Sequence, residues 1–141
     1  MRNGSVFSLL LITLLLTTHY SCSRKSSLEG AKPYREITAA EVRERLEKGD
    51  DLVILDVRTE DEYDSETGHL QGAILLPVQE LEDRYNELDS LKGREIVAYC
   101  RSGNRSGRAA DFLTKKGFKV YNMLGGILEW NKGKGDTTKG K

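Results

Sequence analysis

Residues 97–113 read VAYCRSGNRSGRAADFL. An apolar run, Ile96–Tyr99, ends on Cys100. A polar, cationic turn containing glycine follows, and then Ala109, Ala110, Phe112 and Leu113 recur at helical spacing. This is a buried strand, a loop and a helix in sequence. The same alternation runs outward in both directions. Upstream, Leu52–Leu55 is an unbroken apolar run of the kind that suits a strand buried on both faces, ended by Asp56. Ala73–Leu76 is another, stopped by Pro77. Between them Thr59–Glu66 is acidic and reads as a short helix or a loop. Tyr34–Ile37 predicts a short strand, and Thr38 and Glu41 have capping-box spacing before Val42, Arg45 and Leu46, with Gly49 as the stop. Val78–Leu91 carries apolar residues at 78, 81, 85 and 88, a helical stripe. Downstream, Gly117 ends the helix, Phe118–Tyr121 predicts a strand, and Gly125-Gly126 opens a short helix carrying Trp130. The alternation predicts an α/β fold with a central, mainly parallel sheet and helices on both faces. Ligands of such sheets bind beyond the carboxyl ends of the strands, which is where Cys100 lies.

The length of 141 residues fits one domain. The 22 basic and 22 acidic residues cancel, which argues against a large nucleic-acid footprint, since that needs a concentrated cationic excess. Arg2 followed by the apolar stretch Val6–Leu16 and then TTHYSCS has the layout of a secretory signal over residues 1–21. The stretch is shorter than the roughly 20 apolar residues a membrane span needs. Export to the periplasm or cell envelope is the expectation. Cys22, after Ser21, resembles the lipidated cysteine of bacterial lipoproteins and would anchor the protein to a membrane; simple cleavage of the signal is the alternative. Residues 22–33 read as a linker, 34–132 as the domain and 133–141 as an unstructured tail by composition. Beyond residue 21 the chain keeps one histidine, His69, and the two cysteines Cys22 and Cys100. It has no Cys-x-x-Cys and no His-Glu-x-x-His, too few ligands for zinc or a dithiol centre, so no metal or cofactor is expected.

A lone cysteine in an exported domain needs a reason. In Cys100–Arg105, successive backbone N–H groups of a tight loop can converge as an anion nest. A helix beginning near Ser106 adds free N–H groups and the positive end of its dipole. Gly103 supplies backbone freedom, and Arg101 and Arg105 supply charge. Each of these favours a thiolate over a thiol, and the thiolate is the nucleophile. The same groups, with Ser102 and Asn104, would hold an anion against the sulfur.

Three motifs together resemble the single-domain rhodaneses. They are Leu55-Asp56-Val57-Arg58 with Glu62-Tyr63, Gly68–Ile74 and Pro77; Tyr99–Ser106; and Leu124-Gly125-Gly126-Ile127 with Trp130. The resemblance spans roughly Tyr34–Lys132. It implies a sulfurtransferase in which Cys100 takes sulfane sulfur from a small sulfur-containing anion, such as thiosulfate, or from a persulfide. The Cys100 persulfide, cradled by residues 101–105, would pass its sulfur to a thiol, cyanide or a protein thiol. The alternative is a sulfur-carrier or protein-binding module of the same fold without independent turnover. Cysteine phosphatases of this fold place five residues between cysteine and arginine; here four separate Cys100 from Arg105, a tighter ring suited to one sulfur atom. The resemblance assigns Asp56 and Arg58 to bracing the loop. An Asp56–Arg105 pair beneath it is the expected arrangement, with direct substrate contact by Arg105 as the alternative. Arg101 is expected at the pocket rim, His69 in a structural turn, Trp130 in the core and Glu60–Glu66 on a solvated face. A monomer is expected, and substrate preference is expected to lie in loops such as Asp61–Thr67.

Overall fold

The computed structural model describes residues 32–133 and 137–138. The expected signal, Cys22 and most of the linker lie outside the described residues.

The chain starts with β1 (Arg35–Thr38) and α1 (Ala39–Glu47). The capping box forms as the spacing predicts: Thr38 Oγ1 accepts from Glu41 N–H at 3.1 Å, and Glu41 Oε2 accepts from Thr38 N–H at 2.9 Å. β2 (Leu52–Asp56) follows, then α2 (Glu60–Tyr63), which resolves the acidic stretch as a short helix. Next are two short strands, β3 (His69–Leu70) and β4 (Ile74–Leu75). The helical stripe after Pro77 becomes α3 (Leu81–Arg84) and then a 3-10 helix, Tyr85–Leu91. Apolar side chains fall every third residue from Tyr85 through Leu88 to Leu91, the period of the tighter winding. β5 (Glu95–Tyr99), α4 (Asn104–Lys115), β6 (Lys119–Leu124) and α5 (Gly126–Lys132) complete the main body. β6 runs three residues past the predicted Tyr121, because the polar Asn122 that interrupts its apolar pattern has a polar neighbour inside the protein, the Ser106 hydroxyl. Within the expected tail, β7 (Thr137–Thr138) pairs antiparallel with β3.

The five-stranded sheet has the order β1-β6-β5-β2-β4 and is parallel throughout. Its central strands are buried on both faces, as their unbroken apolar runs require. Side chains alternate across the sheet, so β2, β5 and β6 each feed two cores. Val53, Leu55, Ile96, Ala98 and Val120 pack with Leu81 of α3 and Ala109, Ala110 and Leu113 of α4. Ile54, Val97, Tyr99 and Met123 pack with Val42 of α1 and Ile127 and Trp130 of α5, which places Trp130 in the core as expected. Cys100 continues the Ile96–Ala98 series and joins the α4-side core. Strand parity thus delivers the sulfur to the face covered by α4.

Candidate active site

The loop between β5 and α4 is tighter than the sequence suggests. The helix begins at Asn104, two residues before the expected start near Ser106. Gly103 caps it at φ 101°, in the left-handed region that glycine enters without a Cβ penalty. Its open Cα face lies 3.4 Å, measured to an ideal Cβ, from Gly125 N and Met123 O. Arg105 and Ser106 therefore stand in the first helical turn, directly after the loop.

Cys100 is 1% exposed. Its sulfur accepts from Gly103 N–H at 3.1 Å and faces the Ser106 hydroxyl at 3.5 Å. Burial pushes the thiol pKa up, but the Ser106 hydroxyl and the amides of Ser106, Ser102 and Gly103 outweigh it, so the net shift is downward. The thiolate expected from the sequence is thus stabilised chiefly by hydrogen bonds. The Ser106 hydroxyl also lies 2.7 Å from Asn122 Oδ1 and 3.1 Å from Gly103 O. A hydroxyl has one proton to give, and a negatively charged sulfur is the acceptor that strengthens the bond most.

The other side of the loop is held by α5. Ile127 N–H donates to Cys100 O at 2.9 Å, and Leu128 N–H donates to Arg101 O at 3.2 Å. These bonds draw the two carbonyls away from the sulfur, while the amides that follow in the loop act on it. The approach needs Gly126, where an ideal Cβ would stand 2.3 Å from Cys100 O and 2.7 Å from Arg101 C. The glycine pair does more than start a helix: it lets the helix touch the backbone of the loop.

Asp56 and Arg58 form a buried pair at 0% and 1% exposure. Arg58 Nη2 lies 2.6 Å from Asp56 Oδ2, and Nε lies 3.0 Å from both carboxylate oxygens. The remaining guanidinium donors hold Glu62 O, Thr67 Oγ1 and Gly68 O at 2.8–3.1 Å. The pair therefore braces the segment after α2. The expected Asp56–Arg105 pair does not form. Asp56 alternates with Leu55 and so shares the sheet face of Ile54 and Tyr99, and Arg58 lies over the Tyr99 ring, 5.5 Å from its centroid. Arg105 belongs to α4, on the opposite face.

Arg105 is instead gripped by Glu62, with Nη1 and Nη2 each 2.6 Å from one carboxylate oxygen. The capping box of α2 fixes this carboxylate, since Glu62 Oε2 also accepts from Thr59 N–H at 3.2 Å. Arg105 and the N-cap bonds from Thr59 together hold the Glu62 pKa at about 2 against the opposing effect of burial. Glu62 is therefore not simply solvated as expected: its carboxylate is paired with Arg105 while remaining partly open to solvent. The spacing Thr59-x-x-Glu62 marks it as a capping residue in the sequence, but nothing in the sequence marks its partner. Arg101 and Ser102 are exposed on the loop, as is Asn104 at the helix start. His69 stacks on Tyr63 at 3.6 Å between ring centroids, and its Nδ1 lies 3.1 Å from Tyr63 O, a structural position.

A profile of the rhodanese-like domain matches residues 38–133. Thiosulfate sulfurtransferase GlpE of Coxiella burnetii is 35% identical over 98 residues, covering 69% of this chain and 87% of that protein. YrkF of Bacillus subtilis, provisionally named a sulfur carrier protein, is 38% identical over 105 residues, 74% of this chain. The match spans only 55% of that relative's length. Among solved structures, a rhodanese-related protein from Thermoplasma volcanium aligns with a TM-score of 0.67 at 28% identity, covering 74% of this chain and 98% of that one.

Proposed function

The chain belongs to the rhodanese-like domain family, and from that premise we propose that it transfers sulfane sulfur through a persulfide on Cys100. The observation that carries this reading is the buried sulfur facing Gly103 N–H and the Ser106 hydroxyl, donors that favour the thiolate and would equally favour a persulfide anion.

The steps follow from covalent catalysis. The Cys100 thiolate attacks the outer sulfur of thiosulfate. The S–S bond of the donor breaks, and sulfite leaves with the electron pair. The persulfide's terminal sulfur then carries the negative charge within reach of the loop amides. An acceptor thiolate attacks that terminal sulfur, and Cys100 departs as the thiolate it began as. No proton has to be moved by the protein, which agrees with the position of His69, stacked on Tyr63.

Intact mass spectrometry after mixing with thiosulfate should show a gain of one sulfur atom, about 32 Da, as a reversible cysteine persulfide. Cys100→Ser should show none. Absence of any gain in the unaltered protein would overturn the reading. The name of the Bacillus relative favours a second reading, a carrier that hands its sulfur to one protein partner. Sustained turnover with cyanide supports the enzyme; loading without turnover supports the carrier.

A further inference from the structure

The loop carries two arginines with different surroundings. Arg101 is exposed, and no acid pairs with it among the described residues. Arg105 stands in the first turn of α4, between Asn104 and the Ser106 whose hydroxyl faces the sulfur. Both terminal nitrogens of Arg105 are taken by the Glu62 carboxylate. The pair is partly open to solvent, at 24% exposure for Arg105 and 32% for Glu62. Arg105 also interacts electrostatically with Cys100, so the pair is felt at the sulfur and by whatever approaches it. Glu62 is not a casual neighbour, because the capping box and the Arg58 bond to its carbonyl hold both its side chain and its backbone.

We propose that Glu62 is a specificity-determining residue, which neutralises Arg105 beside the Cys100 loop and so biases the site away from small multiply charged anions and toward donors of low charge. The application to sulfur donors rests on the sulfur-transfer reading; the charge preference itself does not. A free Arg105 would present a planar fork with a full positive charge to an incoming dianion. With Glu62 attached, the fork is occupied and the local charge is cancelled. An anion must then either displace a fixed carboxylate or rely on Arg101 and the loop amides. A donor of low charge meets no such obstacle.

The test uses the 141-residue chain carrying Cys22→Ser, in which Cys100 is the one remaining thiol. Cys100 is alkylated with iodoacetate, an anion, and with iodoacetamide, its neutral counterpart. The ratio of the two rate constants cancels changes in nucleophilicity and reads the field at the sulfur. Glu62→Gln keeps the side-chain shape and the capping role while removing the charge. It should raise the ratio about three- to tenfold at low salt, and the gain should shrink as salt is added. Asp61→Asn, an equal charge change on exposed α2 surface, should leave the ratio nearly unchanged. Adding Arg105→Gln to Glu62→Gln should abolish the gain, because the effect needs the liberated arginine. An unchanged or lower ratio in Glu62→Gln, an equal rise in Asp61→Asn, or a Cys100 that neither reagent reaches in any variant would overturn the proposal. Thiosulfate loading should accelerate in step with the ratio. A raised ratio with no sulfur gained from thiosulfate would uphold the charge role of Glu62 and sink sulfur transfer.

Discussion

At the scale of single residues, the chemistry of the site is concentrated on one sulfur and the donors around it. Ser106 is the side chain among them, and its hydroxyl is the largest effect lowering the Cys100 pKa. Ser106→Ala should raise that pKa. The rate of iodoacetamide alkylation follows the thiolate, so its half-maximum should move upward by about one pH unit, the equivalent of one hydrogen bond to a charged group. A midpoint that stays in place would remove Ser106 from the account. Cys100 and Gly103 are legible in the sequence, because a cysteine at the end of an apolar run before a glycine-containing turn marks the loop. The partners of Asn122 and Glu62 are not. Asn122 is a polar residue in a strand, and only the fold shows that the Ser106 hydroxyl lies against its amide. Glu62 sits 43 positions from Arg105, a separation no local pattern encodes.

At the scale of elements, the loop is held between two helices. The loop amides and Ser106 of α4 supply the donors, and α5 fastens the carbonyls of Cys100 and Arg101 from the other side. Gly126→Ala tests this joint. Its Cβ would enter the space held by Cys100 O at 2.3 Å, and backbone cannot yield as a side-chain tip can. The residue also lies at φ 56°, where an L side chain is strained. The variant should lose about 1–3 kcal/mol of stability in denaturant titration, in the range of other large backbone effects. Its Cys100 should also load sulfur more slowly, because the amides lose their alignment. A stable variant with unchanged loading would show that α5 is not a support. The sequence announced both helices, since Gly125-Gly126 and the Ala-rich stripe are local signals. It could not announce that the first touches the loop of the second.

At the scale of the whole molecule, the sheet's alternation explains both a success and a failure of sequence reading. Parity along β5 places Cys100 under α4. Parity along β2 turns Asp56 to the other face, so the attractive Asp56–Arg105 pairing had no route. Opposite charges in a sequence suggest partners, but only the face of the strand decides which can meet. The Asp56–Arg58 pair that forms instead ties the sheet to the segment following α2. Arg58→Leu would strand a fully buried carboxylate, and such losses cost about 3–5 kcal/mol. Chemical denaturation should register the loss, and a cost under about 1 kcal/mol would show that Asp56 finds relief elsewhere. The α5 contact has a wider meaning for how this protein can be cut, fused or permuted. A designer trimming it to a minimal unit would naturally stop once the last strand of the main sheet is complete, at Leu124. That truncation would retain the sulfur and every donor to it, yet lose Ile127 and Leu128, which orient the peptide planes behind it. The smallest portable unit that keeps the Cys100 loop supported therefore runs through α5, and the loop cannot be transplanted without that helix.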